Sequence, residues 1–344
     1  VILELTLTLA AAIVGAYIAW KIRLPGGMII GSTFTTAFMA LGINADPLPL
    51  PVLIVLFVKV GVLLGLLVNR RSVQVLRPIV IPTVVANIAM VAMGWVVVVI
   101  LRWWGVAPIG DVLATAPGAM TVLGPAAAQL DLDAPTVAFF HLVRVIVTLL
   151  SIPLLLRFLP RETRTTPSGV ASVAAPAAPP ISVLLRWILV LTGALVGAAI
   201  AEISGMGGGV IFGSTLGTAA VMLMLPNPVR APHWLAPSVQ VGTGWMIGSL
   251  VTPESVTIIP QSVLPALFAA VFLIAFGIAT TFVMRLVGVR MRGDILATAP
   301  GAPEVFAVVA AEHDADAIQV AAFQTLRILL VVASLPILLT LIPS

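Results

Sequence analysis

DVLATAPGAM, residues 111–120, occurs a second time as DILATAPGAP, residues 294–303. The likeness continues without a gap. Asp111–Pro153 aligns with Asp294–Pro336 at a constant offset of 183, with 20 of 43 positions identical. Asp133 meets Asp316, Arg144 meets Arg327 and Ser151 meets Ser334. Further out, Gly15 corresponds to Gly197, and GGMIIGST (26–33) corresponds to GGVIFGST (208–215), both at offset 182. KVGVLLG (59–65) corresponds to QVGTGWMIG (240–248), which pairs Lys59 with Gln240. A duplication on this scale sets the architecture. Residues 1–160 form a first repeat and 181–344 a second, and the Pro/Ala/Ser-rich stretch 161–180 reads as a disordered linker.

The chain is 60% hydrophobic and 9% charged, with a mean hydropathy of +1.20. Soluble domains carry about 25% charged residues, so this is the composition of a polytopic membrane protein. The pI near 10.6 reflects 17 scattered Lys and Arg residues rather than a basic face, and no nucleic-acid partner is expected. With no cysteine, disulfides, thiolate metal sites and thiol nucleophiles are excluded. His141, His233 and His313 stand apart and make no metal motif, so neither a metal nor a cofactor is expected.

A span needs about 20 apolar residues. Ten runs qualify: 3–20, 27–42, 50–68, 79–101 and 135–158, then 183–201, 209–225, 234–251, 262–284 and 317–341. The segments 111–128 and 294–311 either cross, giving six spans per repeat, or enter and turn back, giving five. Basic residues separate these arrangements. With five spans, one face receives thirteen of them, among them Lys21, Arg23, Arg70, Arg71, Arg230 and Arg285, and the other receives Arg102 alone. Lys59, Arg144 and Arg327 stay inside the membrane. With six spans the same loops split five against nine. The positive-inside rule therefore favours two inverted repeats, with the linker in the cytoplasm and both termini outside. The expected fold is an all-α polytopic membrane protein, each repeat having five transmembrane helices and one re-entrant, broken helix.

Pro117 lacks an N–H and clashes with the preceding helical turn, and Gly118 frees the chain to reverse; Pro300 and Gly301 repeat the device. Lipid cannot satisfy the backbone groups so released, so each break must be covered by protein or line a wet cavity. Two inverted breaks would meet near the midplane, where transporters of this build hold substrate. Arg144 and Arg327 each lie 11 residues beyond an N-capping aspartate, about 16 Å into the membrane. Such an arginine costs at least about 2.5 kcal/mol and must be paired or face a cavity. His141 and Gln324, three residues earlier, share its helix face. Two related cations suit a small anion, with Thr115, Pro117, Gly118, Thr298, Pro300 and Gly301 binding beside them. The structural alternative is a salt bridge that locks the repeats together.

Symmetry breaks at Glu304, whose counterpart is Thr121, and at Lys59. Both are candidates for H⁺ or Na⁺ coupling, together with Asp111 and Asp294. Their alternatives are helix-dipole complement, structural pairing and N-capping. The GGxIxGST glycines read as helix-packing positions, and tryptophans such as Trp103 and Trp104 as interfacial anchors.

LPGGMIIGS (24–32), ATAPGAM (114–120), FFHLVRV (139–145) and ATAPGAPEV (297–305) resemble the AbrB-type bacterial membrane family, whose members are described as AbrB duplications and often labelled ammonia monooxygenases. The resemblance covers nearly the whole chain. In that family the ATxPG segment is commonly followed by a second glycine and an acid. Here Ala119 and Ala302 replace the glycine, and the second copy alone keeps the acid. The resemblance implies a bacterial inner-membrane protein, with transport and gene regulation both suggested. No copper or di-iron ligand set accompanies the monooxygenase label, so an enzyme is not expected. The expectation is a secondary transporter of a small anionic metabolite, working in the lipid bilayer and compatible with a homo-oligomer. A membrane sensor binding the same ligand without flux, and a passive channel, are the rival readings.

Overall fold

The computed structural model describes residues 2–23, 27–43, 45–68, 80–105, 111–116, 120–129, 132–155, 182–204, 209–226, 229–289, 293–300, 306, 310 and 315–340. Among these there is no strand. The first repeat contributes α1 (Ile2–Lys21), α2 (Gly27–Ile43), α3 (Leu50–Leu67), α4 (Val80–Trp103), α5 (Asp111–Thr115), α6 (Met120–Gln129) and α7 (Ala134–Leu155). The second contributes α8 (Val183–Ile203), α9 (Gly209–Met224), α10 (Leu235–Ser249), α11 (Pro253–Leu286), α12 (Asp294–Thr298) and α13 (Ala317–Thr340). A helix lies over each of the ten apolar runs. Among the described residues, five stretches are long and apolar enough to cross a membrane: α1, α3, α4, α8 and Pro260–Leu286 of α11. Gly27–Ile43, Ala134–Thr148, Gly209–Met224 and Ala322–Val331 are shorter apolar stretches. The linker 161–180 lies outside the described residues.

Local signals set the helix ends. Asp133 Oδ1 accepts the Thr136 N–H at 3.2 Å and Asp316 Oδ1 the Gln319 N–H at 3.0 Å, so both aspartates cap as their spacing requires. Ser182 does the same for α8 through the Leu185 N–H. Helices α4 and α11 stop at Gly105 (φ 74°) and Gly288 (φ 85°), equivalent positions in left-handed backbone that suit glycine.

The duplication does not make two separate bodies. Helices α1, α2 and α3 pack among α8, α9 and α10, while α4, α5 and α7 pack among α11, α12 and α13. Close glycine contacts build the first group. A Cβ on Gly61 would overlap Ser214 Oγ, and one on Gly65 would strike Thr218; in exchange, a Cβ on Gly244 would overlap Ser32 Oγ and one on Gly248 would strike Thr36. Each repeat thus presents glycines to the other repeat's GGxIxGST helix, the small-residue packing of membrane helices. These contacts correct the alignment. They match Gly61 with Gly244 and Gly65 with Gly248, so the equivalent of Lys59 is Gly242, not Gln240.

Trp103 is exposed, and Trp104 packs on Phe268 with ring centroids 4.6 Å apart. Trp245 is not an interfacial anchor. It is buried and donates through Nε1 to Thr8 Oγ1 at 3.0 Å. The outer surface carries many exposed large apolar side chains, including Phe34, Phe38, Val85 and Leu286, as a lipid-facing wall would.

Candidate functional site

Each short helix ends where its proline begins. Helix α5 stops at Thr115, followed by Ala116 and the position of Pro117, and α12 stops at Thr298, followed by Ala299 and Pro300. The last carbonyls of a helix have no intrahelical donor, and a following proline offers none. The arginines supply them. Arg144 Nη1 donates to the Ala116 carbonyl at 2.6 Å, and Arg327 Nη1 donates to the Ala299 carbonyl at 3.1 Å. The two are equivalent contacts, with a cation at the negative end of each short helix. Arg144 is 3% exposed and Arg327 1%.

The partner three residues earlier fixes each guanidinium. Arg327 Nη2 donates to Gln324 Oε1 at 2.5 Å, and Gln324 Nε2 donates back to the Leu296 carbonyl at 2.8 Å and to Ala299 at 3.3 Å. In the first repeat Arg144 Nη2 lies 2.5 Å from His141 Nδ1. A guanidinium only donates, so Nδ1 accepts and the imidazole proton sits on Nε2. His141 Nε2 is buried and has no hydrogen-bond partner among the described residues.

Helices α4 and α11 support the breaks from behind. Thr115 Oγ1 donates to the Gly94 carbonyl at 3.1 Å, while Thr298 Oγ1 and Thr281 Oγ1 share a 2.6 Å hydrogen bond. A Cβ on Gly94 would lie 3.2 Å from the Thr115 carbonyl oxygen, and one on Gly277 would lie 2.8 Å from that of Thr298. The repeats also touch here. Thr148 of α7 donates through Oγ1 to the Pro300 carbonyl at 2.8 Å, and Met90 Sδ of α4 lies 3.9 Å from Arg327 Nη1. Val331 stands where the first repeat has Thr148, and its side chain carries no hydroxyl.

The sequence-derived candidates divide accordingly. Arg144, Arg327, His141, Gln324, Thr115, Thr298 and Pro300 are buried around the two breaks. Pro117, Gly118, Gly301 and Glu304 lie outside the described residues, as does the side chain of Asp111. Asp294 is neither the cap of α12, a position held by Gly293, nor a loose carboxylate. Arg285 grips it bidentately, Nε to Oδ2 and Nη2 to Oδ1, both at 2.7 Å. Arg102, assigned by itself to the face opposite the other loop cations, is the equivalent of Arg285. Lys59 is half-buried and reaches across to the Ser238 carbonyl at 3.5 Å. Among the contacts described, Arg144 and Arg327 are each held by a carbonyl of their own repeat's break. Sequence reasoning missed Thr148, Thr281, Gly94 and Gly277. The glycines were visible as an equivalent pair, but nothing in the sequence showed that they face the breaks. Among the described residues, no group of three His, Asp or Glu gathers as metal ligands.

The arrangement offers fixed positive charge and hydrogen-bond donors in a low-dielectric interior, chemistry that selects anions and neutral acceptors. The family model described as "Transition state regulatory protein AbrB" matches residues 1–160 and again 136–342. A protein of Bacillus subtilis (strain 168) described as "Uncharacterized protein YhjN" is 26% identical over 231 residues, covering 64% of this chain and 60% of the relative. The chain thus spans less than two thirds of that relative's length. No solved structure matches. With the family model covering the chain twice, as its internal duplication requires, the protein belongs to the AbrB family.

Proposed function

We propose that this protein is a secondary transporter of a small anionic metabolite, with the substrate site between the two helix breaks. The observation that carries the reading is the pair of buried arginines, one from each repeat, each donating to the carbonyl that closes its short helix at an Ala-Pro-Gly break. Charge of this kind is expensive inside a membrane and is found where ions or substrates pass. In this reading the repeats are inverted, ten spans and two re-entrant segments cross or enter a bacterial inner membrane, and both termini lie outside. The exchange-related glycine contacts support a two-fold relation between the repeats. The substrate's charge competes with the Ala116 and Ala299 carbonyls for the guanidiniums, so binding and release reshape the breaks. Glu304 carries the coupling H⁺ or Na⁺. No catalytic step is assigned.

The test is uptake of a panel of organic anions into proteoliposomes, with and without H⁺ or Na⁺ gradients. Gradient-driven uptake of at least one anion, abolished by Arg144→Gln and by Arg327→Gln, is expected. Uptake indifferent to both substitutions refutes the site. A second reading has one observation behind it, the description of the matching family as regulatory. Saturable binding without flux would decide for that sensor, and flux indifferent to ion gradients for a channel.

A further inference from the structure

A buried stripe runs along one face of α4 through Thr83, Asn87, Met90 and Gly94, at spacings of four, three and four residues. Its lower members touch both breaks: Gly94 abuts Thr115 of the first, and Met90 contacts Arg327, which holds the second. Asn87 stands one turn, about 4.5 Å along the axis, from Met90. In the second repeat the same stripe reads Ala266, Ala270, Leu273 and Gly277, again at the buried face of its helix. The glycine is common to both repeats, whereas the polar pair belongs to the first alone.

Asn87 is 0% exposed. Its Nδ2 donates to the Thr83 carbonyl at 2.9 Å, and because a carbonyl only accepts, the amide orientation is fixed. That leaves Oδ1 as a buried acceptor with no hydrogen-bond partner among the described residues. A desolvated amide oxygen without a donor is costly, and native proteins ordinarily meet such a group with water or a ligand. Nothing about packing requires an amide here, since alanine occupies the equivalent position.

We infer that Asn87 is a substrate contact: its Oδ1 accepts a hydrogen bond from a hydroxyl of the anion whose charge is held at Arg327. The inference rests on the anion-transport reading above and adds a substrate class to it, carboxylates bearing a hydroxyl group. The free atom is an acceptor, so the ligand group that meets it must donate. The neighbouring guanidinium disfavours a cationic donor, which leaves a neutral one.

The experiment uses the full chain in proteoliposomes and two probe pairs that differ by one hydroxyl, lactate against propionate and malate against succinate. The wild type should favour the hydroxylated members about tenfold, the discrimination that one neutral hydrogen bond provides. Asn87→Ala, which installs the residue of the second repeat, should bring that ratio near one, the two members of each pair being compared in the same variant. Asn87→Leu, close to asparagine in shape, gives the same test should the alanine variant fail to fold. Anion uptake with no hydroxyl preference in the wild type, or with a preference that survives both substitutions, overturns the inference and leaves the anion reading standing. No uptake of any of the four probes by folded protein overturns the anion reading and this inference with it.

Discussion

Replacing Gly277 by alanine tests whether the second break is held by close backbone approach. The added Cβ would lie 2.8 Å from the Thr298 carbonyl oxygen. An ordinary C···O contact is about 3.3–3.6 Å, so α11 and α12 must part by about 0.6 Å. Little nearby can yield. Thr298 is tied to Thr281 at 2.6 Å and to the Asp294 carbonyl at 3.1 Å, and Arg327 grips the adjoining Ala299 carbonyl. Overpacking of this kind costs about 1–3 kcal/mol. At Gly94 the corresponding distance is 3.2 Å, so the required shift is about 0.2 Å and the cost falls at or below the bottom of that range. Gly42 is the control. A Cβ there meets nothing within 4 Å, so alanine should gain the helix-propensity difference, up to about 1 kcal/mol. The assay is the thermal midpoint of each purified variant in one detergent, followed by uptake in proteoliposomes. Gly94 and Gly277 also lie inside helices and gain the same propensity difference, so the contacts set the order: Gly42→Ala most stable, then Gly94→Ala, then Gly277→Ala. A Gly277→Ala protein as stable as Gly94→Ala or Gly42→Ala would refute the argument.

Arg285→Gln strips the bidentate partner from a carboxylate that is 3% exposed, while the arginine itself is 22% exposed. The loss should fall at the low end of the range for broken buried pairs, about 3 kcal/mol, and adding Asp294→Asn should recover part of it; a double variant less stable than Arg285→Gln would contradict the pairing. Gly61→Ala and Gly244→Ala place a Cβ on the hydroxyl of Ser214 and of Ser32, in contacts equivalent by exchange of the repeats. Comparable falls in thermal midpoint are expected from the two variants, and one severe variant beside one neutral variant would break the equivalence.

Much of this fold was legible in the sequence because apolar length, proline, glycine and capping residues act locally. The ten apolar runs each lie under a helix, the breaks fall at the two Ala-Pro-Gly sequences, and Asp133 and Asp316 cap as their spacing requires. Duplication was legible for a simpler reason, since the same residues recur at a fixed offset. The alignment failed at Lys59, where matching K-V-G to Q-V-G conceals the register that Gly61–Ser214 and Gly244–Ser32 contacts impose.

The sequence by itself determined that Arg144 and Arg327 are buried cations standing at related positions beyond related breaks, because insertion depth follows from helical rise. It could not say what their donors would meet. That depended on how α7 and α13 lie against α5 and α12, a matter of long-range packing. Tertiary structure decided that each guanidinium holds the last carbonyl of its own short helix, that Arg285 takes up Asp294, and that Thr148 reaches into the other repeat's break. It also decided that the repeats interleave, for a glycine stripe declares a close approach without naming the helix that approaches. The physical reason is the same in each case: backbone propensity is written within a few residues, whereas a hydrogen-bond partner is chosen by contacts between segments far apart in the chain.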